Sequence, residues 1–290
     1  MTPKLTIGIA FRNPGKYFET TLKSVFAQTF TDWELVLMDD GSTDGSIEYA
    51  KNINDPRVRV YVDGKSQGLS VRLNQMIQIA QAPYFFRMDA DDIMHPHRLE
   101  KQYQALTNHD SMTVVGTSAY SIDEDSNILG FRSSRSKQRY GFNAIHSFIH
   151  PTVAAATSWF RDNPYSENFI YQRSEDTELW CRTTEKTKFV NLVEPLLYYR
   201  ESNSLSIDKY VKTNLGLIFL IIERFRHSRL QFILLYTKEL VKLSLALILD
   251  SFGLSSYLIS RRHTPLNTEQ LQVAQSGLSA VIDREIPQFR

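Results

Sequence analysis

Cysteine is almost absent: Cys181 is the only one in 290 residues. That excludes a disulfide framework and any zinc site built on cysteine. Net charge is also nearly absent, with 33 Lys/Arg against 32 Asp/Glu. A nucleic-acid binder usually carries a clear basic excess, so that class is set aside. No uncharged apolar run reaches the ~18 residues of a membrane-spanning helix. Met1 to Lys4 leads straight into a strand-like run and does not read as a signal peptide. There is no Gly-rich phosphate loop after that run, no internal repeat and no low-complexity segment. What the chain has in quantity is core material: 42% hydrophobic residues, including 17 Phe, 14 Tyr and 3 Trp. Disorder over most of the length is excluded. At about 150 residues per domain, the chain makes one large domain or two modest ones.

Charge is sorted along the chain. Residues 208–262 hold nine Lys/Arg and four Asp/Glu, a net +5 that leaves −4 for the rest of a chain totalling +1. An acidic body thus carries a basic, aliphatic tail, which suggests one part for chemistry and one for attachment.

The first hundred residues alternate strand and helix. Strands are expected at 5–11, 33–38, 58–62 and 84–88, where short apolar runs contain β-branched residues. Helices are expected at 16–28, 46–52 and 70–80, with Asp44 or Ser46 capping the second. This alternation implies βαβ units and a mainly parallel α/β sheet flanked by helices. Ligands gather at the carboxyl ends of such strands. Strands are also expected at 112–116, 153–156 and around Pro195 in 189–199, a helix at 177–185 and a basic loop at 133–140. From 208 the pattern turns to long helices, and the last 25 or so residues read as polar without a clear signal.

Three acidic constellations carry the chemistry. Asp39-Asp40-Gly41-Ser42 ends the second strand. Its carboxylates could accept hydrogen bonds from a base or ribose, or simply form an Asp-rich turn. Asp89-Ala90-Asp91-Asp92 ends the fourth strand. Close carboxylates repel unless a cation or a proton relieves them, and hard oxygen ligands suit Mg²⁺ or Mn²⁺ with substrate phosphate oxygens. A solvated acidic loop is the plainer alternative. Glu175-Asp176 enters a helix, as a general base or as a cap. Together, a nucleotide-contacting carboxylate, a metal–diphosphate carboxylate and a separate base are the parts needed to displace a nucleoside diphosphate.

The order of motifs over residues 19–206 resembles family 2 glycosyltransferases, whose two-lobed Rossmann-like fold is called GT-A. The motifs are E-T-T-L-K-S-V-F-A-Q (19–28), W-E-L-V-L-M-D-D-G-S-T-D-G (33–45) and G-L-S-V-R-L-N (68–74), then R-M-D-A-D-D-I-M-H-P-H-R-L-E-K-Q (87–102), V-V-G (114–116), H-P-T-V (150–153) and S-E-D-T-E-L-W-C-R (174–182), closing with Y-Y-R (198–200), Ser204 and Ser206. The resemblance implies a catalytic domain at 1–206, with a nucleotide-binding part at about 1–110 and an acceptor part at about 111–206, followed by a helical region at 207–290. It implies that Asp40, then Asp39, contacts the base, that Asp89 meets the ribose and that Arg72 and Arg200 complete the nucleotide site. Asp91, with Asp89, would hold Mn²⁺ or Mg²⁺, and Asp176 would be the base with Glu175 beside it. The implied reaction is inverting transfer from a nucleotide sugar, a UDP-sugar by preference, to a glycan or lipid-linked acceptor in surface-polysaccharide synthesis such as lipopolysaccharide or capsule.

The sequence also departs from the family. Ser202 stands where many relatives have histidine, and A-F-R-N-P-G (10–15) replaces a usual P-x-Y-N. Arg12 faces the diphosphate or solvent; His150 reads as a packed turn residue before Pro151 or an active-site wall residue, the turn preferred, and Trp180 as core packing rather than a sugar platform. In the tail, Arg224, Arg226, Arg229, Lys238 and Lys242 border aliphatic faces, which suits helices on an anionic membrane surface or against a second subunit. The expected location is cytoplasmic, peripheral to the inner face of the inner membrane. Two other readings are a non-catalytic glycosyltransferase-like partner in a membrane assembly and a phosphatase whose D-x-D is Asp89-x-Asp91. The phosphatase motif would normally end the first strand, and it leaves Asp39-Asp40 unexplained.

Overall fold

The computed structural model describes residues 2–134, 148–201, 207–225, 229–252 and 263–288. Its first half is built from β1 (Leu5–Phe11), α1 (Phe18–Phe26), β2 (Trp33–Asp39), α2 (Ser46–Lys51), β3 (Val58–Tyr61), α3 (Leu69–Ile79) and β4 (Tyr84–Asp89). β3, β2, β1 and β4 lie in that order and run parallel. Every residue of β2 is buried and so is nearly all of β1, because helices cover both faces of the sheet. Gly8 is required in β1, since a Cβ there would overlap the Phe85 ring on the neighbouring strand.

The sheet then changes direction. β5 (Ile93–Met94), α4 (Arg98–Thr107), β6 (Thr113–Ile122), β7 (Ile128–Arg132), β8 (Ala154–Ala156), α5 (Thr157–Asp162), α6 (Glu175–Thr183) and β9 (Lys188–Arg200) follow in the chain. β8 joins β4 to β6 by antiparallel pairing on both sides. β6 runs parallel to β9, β9 antiparallel to β5, and β7 pairs with the far half of β6. The result is a mixed, mostly parallel α/β sheet of nine described strands. Two apolar clusters, one on each face, contain Leu22, Phe86 and Leu99 on one side and Leu73, Phe85 and Trp180 on the other.

Several elements differ from the sequence reading. α4 carries Arg98 and Gln102 on its inner face, both fully buried, and these polar residues disguise its apolar stripe. β6 extends to Ile122, through Thr117, Ser118 and Ser121, because all ten of its residues are covered. Part of the expected basic loop, and Ser202, lie outside the described residues. The long helices are α7 (Ile207–Phe225) and α8 (Arg229–Ser251), as the pattern from 208 implies.

The polar C-terminus holds a further helix, α9 (Thr268–Ile282). Asn267 and Gln270 form a capping box at its start. Ala274, Leu278 and Val281 are its buried face, packed with Ile93, Tyr120, Ile122 and Tyr198 of the sheet. These i, i+4, i+7 positions are small and well separated by polar residues, so the pattern is faint in sequence. Tyr198 Oη donates to the Ala274 carbonyl at 2.8 Å. A Cβ on Gly277 would lie 2.5 Å from Tyr198 Oη and 2.9 Å from His95 Nε2. Gly277→Val is therefore expected to cost about 1–3 kcal/mol by overpacking. Urea unfolding would register this as a lower midpoint; an unchanged midpoint would show that α9 contributes nothing to the fold.

Candidate active site

The acidic constellations share the carboxyl edge of the parallel strands. In the register of the sheet Phe11 pairs with Asp39, and Ala10 pairs with Asp89. β1 thus separates the two clusters, which puts them roughly 10 Å apart at ordinary strand spacing.

In the first cluster the carboxylates organise loops. Asp39 is fully buried and accepts from the N–H groups of Gly41 and Ser42, both at 2.9 Å. Gly41 has φ +82°, the left-handed conformation that folds its N–H back onto the strand end. Asp40 reaches the loop after β3, accepting from Gln67 N at 2.6 Å, Gly68 N at 3.1 Å and Arg72 Nε at 2.9 Å. Arg72, 2% exposed, has all five donors engaged, on Asp40, Asp63 (twice), Gln75 and the Lys65 carbonyl. The hydrogen-bonded ion pair with Arg72, helped by the Lys65 N–H, holds Asp63 well below the usual carboxylate range. Here Arg72 acts on Asp40 and the 63–68 loop. The loop after β1 is fastened alongside, with Asn13 Oδ1 accepting from Thr43 N at 2.7 Å and Asp44 from Gly15 N at 2.8 Å. Arg12 is exposed.

The second cluster gathers Asp89, Asp91 and Asp92, with one carboxylate oxygen from each within 4.8 Å of the others. Asp92 Oδ1 accepts from Arg200 N at 2.8 Å, and its Oδ2 is buried without a partner among the described residues. Partial desolvation, then the Asp89 charge, push Asp91 up to about 6. Asp91 opens to solvent, so the like charge of Asp89 beside it is the stronger influence. Burial, then Asp91, raise Asp92 as well. A divalent cation fits this set: three hard oxygen donors, one of them orphaned and buried. Arg200 ties the cluster to its surroundings, donating from Nε to the Asp91 carbonyl at 2.8 Å and from Nη1 to the Asp123 carbonyl at 2.6 Å, with its guanidinium 4.3 Å from the Tyr17 ring centre.

The third constellation lies at the start of α6. Glu175 is buried, and its Oε2 has no partner among the described residues. Burial, then the neighbouring Asp176, push its carboxyl up to about 8. Asp176 is half-buried; its Oδ1 accepts from Thr177 N at 2.6 Å. Desolvation raises Asp176 too. His150 opens a 3₁₀ turn (His150–Thr152), with Nδ1 3.9 Å from Glu175 Oε1 and Nε2 3.0 Å from Tyr165 Oη. Burial and then Arg87 keep this imidazole neutral. Trp180 is core, stacked 6.2 Å from Trp159.

Arg87 joins the second and third constellations and was absent from the sequence-based site. It is 2% exposed in the middle of β4, with Nη2 2.6 Å from Asp89 Oδ1 and with Nε and Nη1 unpartnered among the described residues. Its charge also acts on Tyr165, Glu175 and Asp92. A cation inside the apolar run Y-F-F-R-M was the available signal. Beneath it Arg98, also buried, donates to the Arg87 carbonyl at 2.8 Å and the Pro151 carbonyl at 2.7 Å.

Residues 6–169 match the family model described as Glycosyl transferase family 2. With more than half its length matched, the chain belongs to glycosyl transferase family 2. It is similar to EpsE of Bacillus subtilis, described as a glycosyltransferase, at 32% identity over 69% of this chain and 74% of that one. It is also similar to the Escherichia coli O-antigen biosynthesis glycosyltransferase WbnJ, at 29% identity over 69% of this chain and 80% of that one. Among solved structures, a 1–349 fragment of S. aureus TarS superposes with TM-score 0.58 at 20% identity, over 76% of this chain and 65% of that one, just under two thirds. The same TarS fragment has been crystallised with UDP and with UDP-GlcNAc. At this identity the likeness shows the fold.

Glu175 has a folded-state value of about 8 against an ordinary 4.5. Folding takes up a proton between those limits, so this carboxyl favours the fold below pH 4.5 and loses that contribution as pH rises towards 8. Glu175→Gln should leave the melting temperature near wild type at pH 5 and raise it by roughly 5 °C at pH 8. Parallel pH profiles for the two proteins would show that Glu175 is ionised in the fold.

Proposed function

We infer that this glycosyltransferase moves a sugar from a nucleotide sugar, a UDP-sugar, onto a hydroxyl of a glycan or lipid-linked acceptor, with inversion at the anomeric carbon. The observation that carries the reading is the meeting of two acidic sites around Arg87 at the carboxyl edge of the sheet. One is a cation-fitted cluster and the other a buried acid pair. The UDP and UDP-GlcNAc complexes of TarS support a uridine donor. The likeness to WbnJ supports a role in surface-polysaccharide synthesis, on the cytoplasmic side where nucleotide sugars are made.

The residues divide the work. Asp40, fixed by Arg72 and the Gln67–Gly68 backbone, holds the loop that borders the base. Asp39 fixes the turn beside it, and Asp89 lies on the ribose side. Asp89, Asp91 and Asp92 would hold a Mn²⁺ or Mg²⁺ ion, whose charge neutralises a leaving diphosphate. Arg200 keeps the backbone of that cluster in position. Glu175 keeps its proton near pH 7, so the negative charge of the pair resides on Asp176. Asp176 Oδ1 is engaged by Thr177, and Oδ2 takes the proton of the incoming hydroxyl. As that proton leaves, the acceptor oxygen bonds to the anomeric carbon and the bond to the diphosphate oxygen breaks. One displacement inverts the centre, and no covalent sugar intermediate forms.

Asp176→Asn separates binding from chemistry. It should keep UDP affinity within about twofold and lower the transfer rate by roughly 10²–10⁴-fold, the usual contribution of a general base. Calorimetry and a transfer assay on the same preparation measure both. Full activity in the variant would remove Asp176 as the base.

A further inference from the structure

α7 and α8 pack against each other, and each leaves a row of large apolar side chains uncovered. On α7, Asn214, Gly216, Ile218 and Ile221 are buried, while Leu215, Phe219 and Ile222 stand 52%, 41% and 42% exposed. These three follow the i, i+4, i+7 spacing of one helix face. Leu234, Val241, Leu245 and Ile248 of α8, with Phe252 just past its end, follow successive spacings of seven, four, three and four, and all are at least half exposed. Eight large apolar side chains in two lanes exceed what a water-facing helix pair normally shows.

The charges around the lanes are sorted. Lys212 lies three residues before Leu215; Lys238 lies between Leu234 and Val241 on the same face; both are exposed. Of the acids in these helices, Glu239 is 2% exposed and paired with Lys242 at 2.8 Å. Glu223 accepts from Tyr171 Oη. Lys212 and Lys238 therefore present positive charge outward beside the lanes, while Glu239 is buried and Glu223, though exposed, is engaged by Tyr171. The segment 208–262 has net charge +5. Two copies meeting through these faces would bring like charge together, whereas an anionic surface relieves it. No helix among the described residues is long and apolar enough to cross a membrane. Lying in the interface plane satisfies both the lanes and the lysines.

α7 also sits on the segment that leads into the acid pair. A Cβ at Gly216 would overlap Ser174 Oγ and lie 2.9 Å from the Ile170 carbonyl. Tyr171 contacts both Glu223 and the Phe219 ring, and Phe169 on the same turn is 81% exposed. We propose that the exposed face of α7 and α8 docks on an anionic lipid surface, and that this holds the Glu175–Asp176 end of the site next to an acceptor carried by a lipid. The second half of the statement rests on the reading of Asp176 as base; the first does not.

Flotation of the full chain with vesicles tests it. The protein should float with phosphatidylcholine vesicles containing phosphatidylglycerol and stay behind with phosphatidylcholine alone. Val241→Glu with Ile248→Glu, both at exposed positions, should weaken the anionic partition at least roughly tenfold. Lys212→Ala with Lys238→Ala should weaken it less and abolish part of its salt dependence. Circular dichroism and UDP calorimetry should match wild type for both variants. Equal flotation of wild type and the Glu variant would overturn the proposal. So would no flotation together with a dimer that the Glu variant dissociates, which would assign the face to a second copy. Failure of wild type to bind UDP, with flotation intact, would count against the donor reading alone.

Discussion

A guanidinium buried in a sheet strand has to be answered by carboxylates, and Arg87 is answered from two directions. Asp89 meets it directly at 2.6 Å. Asp92 and Glu175, from different stretches of chain, lie within the reach of its charge. The dependence is mutual. Removing a buried cation from such a group leaves charge with no partner, typically a loss of about 3–5 kcal/mol. Without Arg87, the cluster after β4 and the pair at the head of α6 would both be forced towards protonation. With it, a site that needs ionised oxygens beside one retained proton can exist inside a fold.

Arg98 extends this constraint into the backbone. It bonds the carbonyl of Arg87 in β4 and that of Pro151 in the turn that carries His150. Burial, then the charge of Arg87, bring its guanidinium down to about 9. One side chain thereby fixes the spacing between the strand that ends in Asp89 and the turn that faces Glu175. A comparable device operates on the nucleotide side. There Arg72 spends all its donors on Asp40, Asp63, Gln75 and a carbonyl, so loops rather than a free guanidinium shape the edge of the cleft.

The parallel half of the fold was legible because its strands are short apolar runs bounded by turn residues. β1 falls at the expected residues, and β2 and β4 end one residue later, on Asp39 and Asp89. The acidic clusters were legible for the same reason, since they terminate those strands. α4 escaped because buried Arg98 and Gln102 occupy its core face. α9 escaped because its buried residues are few and small. Asp92 was visible as part of the D-A-D-D run, yet its inward orphaned oxygen is a tertiary fact. The role of Arg87 and the contact of His150 with Tyr165 and Glu175 likewise need segments far apart in sequence to meet. Ser202, where the family usually has histidine, lies outside the described residues.

We infer that the carboxyl edge of the sheet forms one cation-assisted nucleoside diphosphate site. Calorimetric titration of UDP into the full chain tests it most directly, with Mn²⁺ and with EDTA, for wild type and Asp91→Asn. Binding should require Mn²⁺ and weaken at least roughly tenfold in the variant. UDP binding of equal strength in EDTA, or unchanged by Asp91→Asn, would contradict it.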